Sequence, residues 1–109
     1  MSAGFDLITL PAGAVVQLVT KSTIWCIVLT EETKSMLHPS AGAMLNGIVA
    51  YPLGDKTLKD RVMPEQMFFS RHLIKGVCCQ HNTSWTHMLN TSPVVEAFRL
   101  QGGTPNQIL

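Results

Sequence analysis

Residues 14–31 read AVVQLVTKSTIWCIVLTE, two apolar, β-branched runs separated by Thr20-Lys21-Ser22-Thr23. Two heavy atoms on Cβ stiffen Val, Ile and Thr, which disfavours helix and suits a pleated surface. The segment therefore predicts a β-hairpin. Its four-residue connection lacks Asn-Gly, which leaves the turn type open. In the second arm Thr23, Trp25, Ile27 and Leu29 share one face, and Ile24, Cys26, Val28 and Thr30 share the other. Both faces are apolar near the middle. Only one of them can meet the core of a small protein, so the other calls for cover from elsewhere in the chain or from another chain.

The rest of the chain repeats the strand pattern at short spacing. Phe5 to Leu10 reads as a first strand ended by Pro11-Ala12-Gly13, and Lys34 to His38, after polar Glu31-Glu32-Thr33, as a short strand or one helical turn, with the strand preferred. Pro39 to Ala43 reads as a loop and Asn46 to Pro52 as a strand with an apolar centre. Leu53 to Arg61 holds most of the local charge and reads as an exposed loop, continued by Met63 to Gln66. Met67-Phe68-Phe69 and Leu73 to Cys79 are strand-like, with Gly76 predicting a bulge or a close backbone approach. Gln80 to Thr83 reads as a turn. Trp85 to Leu89 and Val94 to Leu100 read as two final strands split at Thr91-Ser92-Pro93. No segment sustains a helical period over the ~11 residues of an average helix.

Seven or eight short strands in 109 residues predict an all-β fold of one domain, a small, strongly bent barrel of SH3-like or related type with at most one short helix. The barrel is expected over residues 1–101, with 102–109 a flexible or docking tail. Charged residues are 14% of the chain, against the usual ~25%. A charge deficit in a small domain leaves apolar surface showing, and self-association is its expected use. The formal net charge of +1 lacks the basic footprint of a typical nucleic-acid binder. No apolar run reaches the length of a membrane span. The N-terminus has no basic stretch and carries Asp6, and the cysteine count is odd; both favour a cytoplasmic protein with free thiols.

Candidate chemistry is sparse. Cys79, His81 and His87 lie within nine residues, near His72. Adjacent Cys78 and Cys79 point to opposite faces of a strand, and no zinc-like spacing appears, so no metal and no cofactor are expected. Cys79 and His81 have the spacing of two residues on one strand face, a basis for a small-molecule pocket or a minor enzyme. A buried thiol acting as a small hydrophobe outweighs it. Only Phe69 with Arg71 and Phe98 with Arg99 offer the aromatic–basic mixture of an RNA-binding barrel. Core or interface packing is the stronger expectation for these rings and for the six methionines. Trp25, Ile27, Leu29, Met67 and Phe68 are the interface candidates.

Thr20-Lys21-Ser22-Thr23-Ile24-Trp25 together with Thr91-Ser92-Pro93-Val94-Val95 resembles the opening and closing strands of small bacterial β-barrel proteins carried on integron mobile gene cassettes. The resemblance implies a small barrel and carries over no functional residue. This chain has no Asn before Ser22 and has Trp25 where a Tyr is usual. The combined expectation is a cytoplasmic, non-enzymatic binding or assembly module that forms a homo-oligomer. The alternatives are a ligand pocket at Cys79/His81 and a single-stranded RNA-binding barrel.

Overall fold

Buried and half-buried side chains alternate without a break from Val15 to Thr20 and from Ile24 to Val28, the period-2 signature of strands lying on a core. The computed structural model describes residues 4–53 and 65–109. The charged stretch expected as a loop falls mainly in 54–64, outside the described residues.

The strands in chain order are β1 (Phe5–Asp6), β2 (Val15–Thr20), β3 (Ile24–Val28), β4 (Lys34–His38), β5 (Gly42–Pro52), β6 (Glu65–Ser70), β7 (His72–Leu73), β8 (Cys78–Asn82), β9 (Leu89–Gln101) and β10 (Thr104–Gln107). A 3₁₀ turn, Leu7–Thr9, is the one helical element among the described residues. The fold is all-β. Strands β9, β2, β3, β5, β6 and β8 pair in that order, and β8 pairs back onto β9, which closes an antiparallel ring.

Two long strands hold the ring together. Along one edge, β5 meets β4 with residues 42–46 and β3 with residues 49–52. The edge of β9 that faces away from β2 likewise meets β8 near its start and β10 at 98–101. Closure of so few strands demands sharp bending, and the register shifts at Val19/Thr20, Leu45/Ile48 and Cys78/Gln80. At the second shift Gly47 has φ +80°, and a Cβ there would lie 2.7 Å from the Glu32 carbonyl oxygen. Only glycine fits both the backbone angle and that approach.

The core fills the ring. Val16, Leu18, Ile27, Leu45, Ile48 and Phe69 are fully buried in it. One end is stoppered by Leu7 and Leu73, brought together by the two-residue β1–β7 ladder. Arg71 clamps this stopper with a bidentate pair to Asp6, Nε to Oδ1 at 2.8 Å and Nη2 to Oδ2 at 2.8 Å. Arg71 Nη1 also donates to Ser35 Oγ at 3.0 Å.

Besides β5, which starts at Gly42 rather than Asn46, and β6, which takes in Glu65–Gln66, the structure differs from the sequence-based expectation in four places. Phe5–Leu10 is strand only at Phe5–Asp6; the Asp6 carboxylate then accepts the Ile8 N–H at 3.2 Å and caps the 3₁₀ turn. The run from Leu73 to Cys79 is not one strand. Gly76, at φ +81°, sits in a turn closed by the Val77 N–H on the Ile74 carbonyl at 3.1 Å. Gln80–Asn82 belongs to β8 rather than to a turn.

The fourth difference is largest. The two expected final strands are the single 13-residue β9, and Trp85 precedes it in a bend. Proline reads as a break because it cannot donate to a ladder. Here Pro93 needs no donor: it lies opposite Cys78 beside the register shift, and its carbonyl accepts the Lys21 N–H at 3.1 Å. Residues 102–109 fold back through Gly102-Gly103 into β10, and Ile108 and Leu109 pack against the core.

Candidate interaction face

The outward side chains of the sheet are set by register. Val15 lies opposite Leu100 on β9 and Val28 on β3, and Val28 lies opposite Val49 on β5. One row therefore runs Leu100, Val15, Val28, Val49. The next runs Phe98, Gln17, Cys26, Tyr51, and a third begins Glu96, Val19, Ile24. Every one of these residues is half-buried. Among the described residues the main strand contacts of β2 and β3 are with their ladder partners.

Gln17 and Glu96 are the polar exceptions in these rows. At ~4.8 Å between strands and ~3.3 Å per residue, the patch covers on the order of 400 Å² in projection. That is the size at which an apolar patch on a monomer commonly serves a contact. Cys26 sits near its centre, opposite Tyr51. A hydrogen bond with the Cys26 side chain, together with burial, raises the Tyr51 hydroxyl above its ordinary pKa.

The five sequence candidates separate by face. Trp25, Ile27 and Leu29 are buried in the barrel core, where Trp25 meets Phe69 edge-on at 6.0 Å and His81 at 4.6 Å. Met67 packs partly buried against the same core. Phe68 points the other way and meets Trp85 at 4.8 Å, outside the barrel. Trp85 in turn meets His38 at 4.6 Å, and its carbonyl lies 2.8 Å from His38 Nε2. Core packing thus occupies the Trp25 face of the hairpin and leaves Ile24, Cys26 and Val28 outward. Val15, Val49, Phe98 and Leu100 are not distinguished by the sequence pattern. The signal that finds them is cross-strand register, which needs the pairing partners of β2 and β9.

The thiol and imidazole candidates sit in and beside the core. Cys79 is buried, and burial pushes its thiol up to about 12, so at neutral pH it holds its proton and is a poor nucleophile. Burial lowers the His81 imidazole below its ordinary value. Phe69 is fully buried and offers no stacking face to a base. Among the described residues no group of three His, Cys, Asp or Glu side chains converges as metal ligands, and no helix is long and apolar enough to cross a membrane. No family model matches the chain, and no curated protein or solved structure matches it.

Proposed function

We propose that this protein is a non-enzymatic assembly module that forms a homo-oligomer by packing the outward face of β9–β2–β3–β5 against the same face of a second copy. The observation that carries this reading is the row Leu100, Val15, Val28, Val49, apolar across four strands on the side turned away from the core. The face is close to neutral, so two copies meet without strong repulsion; a two-fold axis can hold the two Glu96 side chains apart. A symmetric pair of such patches buries on the order of 1,000 Å² in total, at the low end for specific interfaces. Association in the micromolar range is the expected strength.

The test is sedimentation velocity of the wild type and of Val28→Glu. A charge within the contact would be desolvated without a partner. The wild type should sediment above the 11.9 kDa monomer as concentration rises, and Val28→Glu should shift toward it. A wild type that stays monomeric through the micromolar range overturns the reading.

A further inference from the structure

We infer that the edge of β4 turned away from β5, unpaired among the described residues, is a second self-association site, where two copies pair strand to strand and extend the sheet across a two-fold axis. The inference takes from the preceding reading only its occupant, a second copy of this chain. Two strands of the main sheet end a ladder among the described residues, β4 and β10. They differ in chemistry. β10 is Thr104-Pro105-Asn106-Gln107, with a proline and polar side chains that blunt an edge.

β4 is Lys34-Ser35-Met36-Leu37-His38, with no proline, no glycine and no bulge against β5. Leu37 is 80% exposed and Met36 41% exposed. The ladder is regular and exposes Met36 and Leu37, and a flat edge of this kind is open to strand pairing.

The edge is held in shape before any partner arrives. His38 Nδ1 accepts the backbone N–H groups of Ser40 at 3.1 Å and Ala41 at 3.0 Å, which fixes the turn into β5. With Nδ1 an acceptor, the proton lies on Nε2, which donates to the Trp85 carbonyl. A preformed strand loses little conformational freedom on pairing.

Antiparallel pairing about Met36 sets Met36 against its equivalent, Ser35 against the other copy's Leu37 position, and Lys34 against its His38 position. Lys34, the lysine of this strand, thereby avoids its own equivalent. The apolar face alone reaches only the low end of interface sizes, and a five-residue ladder supplies directional backbone bonds that the face lacks. Two different two-fold contacts on one chain close into a tetramer or extend into a filament.

Hydrogen exchange of the β4 amides across protein concentration tests this, on the wild type, Leu37→Lys and Val28→Glu. Both positions are at the surface, and thermal unfolding of each variant reports retained folding. The open-edge amides of residues 34–38 should slow roughly tenfold or more as concentration rises, in the wild type and in Val28→Glu. Leu37→Lys should abolish that slowing. Amides that exchange alike at every concentration overturn the inference, and so does slowing that appears only on adding an unrelated extended peptide. Loss of concentration dependence in Val28→Glu alone would place all association on the sheet face and also overturn it. A shift in mass for Leu37→Lys with none for Val28→Glu would instead overturn the sheet-face reading and leave this one standing.

Discussion

Ser22 and Ser92, 70 residues apart in the chain, are joined by a hydrogen bond of 2.9 Å from the Ser22 hydroxyl to the Ser92 Oγ. Ser92 Oγ also accepts the Ser22 N–H at 3.0 Å. The two residues belong to the two sequence motifs, TKST and TSPV, and the contact makes one structural unit of them. With the Lys21 N–H on the Pro93 carbonyl, it fastens the turn between β2 and β3 to β9 where the ring closes.

That geometry ranks two substitutions. Ser92→Ala removes the acceptor of both bonds, whereas Ser22→Ala keeps the backbone donor's partner. Exposed hydrogen bonds contribute about 0.5–1.5 kcal/mol each. Urea unfolding should show Ser92→Ala costing more than Ser22→Ala, and the double variant costing less than the sum of the two.

Gly47 carries a steeper expectation. Its φ of +80° acts together with the Glu32 carbonyl oxygen, which would lie 2.7 Å from an added methyl group, while Gly13, at φ +87°, has open space around it. Gly47→Ala should cost about 1–3 kcal/mol from the backbone angle alone, with the clash added. Gly13→Ala should cost less, and chemical denaturation of both variants checks the order.

The Asp6–Arg71 clamp predicts an acid limb of stability. The hydrogen bond from Arg71 holds the Asp6 carboxyl below its ordinary 3.8. A carboxylate favoured in the folded state contributes stability that is present above the unfolded value and is lost as pH falls through the folded one. Asp6→Asn should flatten the decline of the urea midpoint below pH 3.8 and leave the profile above it parallel to the wild type.

His81 acts at higher pH with the opposite chemistry. Burial beside Trp25 and Phe69 lowers its imidazole below 6.5, so the folded state disfavours the protonated ring. As pH falls below 6.5 the unfolded chain binds a proton that the folded chain resists, and stability drops until the folded value is passed. His81→Phe should make that slope shallower, measured by thermal unfolding across the window.

The hairpin shows how far sequence reaches here. Its period of two sorts Trp25, Ile27 and Leu29 from Ile24, Cys26 and Val28 correctly. Which set faces inward is not legible, because both are apolar. The choice is made by partners distant in the chain: Phe69 and His81 meet Trp25 inside, while Leu100 and Val49 extend the outer row. Pro93 misleads for a related reason. Its missing donor reads as a strand end only until Cys78 and Lys21 are known to be its neighbours. The all-β class needs only local pattern; which face turns outward needs long-range register.

Burial of the outer face of β9–β2–β3–β5 by a second copy is the central claim. Isotope-filtered nuclear Overhauser measurements on a mixture of labelled and unlabelled protein observe this directly. Contacts between copies are expected from the methyl groups of Val15, Ile24, Val28 and Val49. Intermolecular contacts confined to other surfaces, or none at the highest concentration reached, would contradict it.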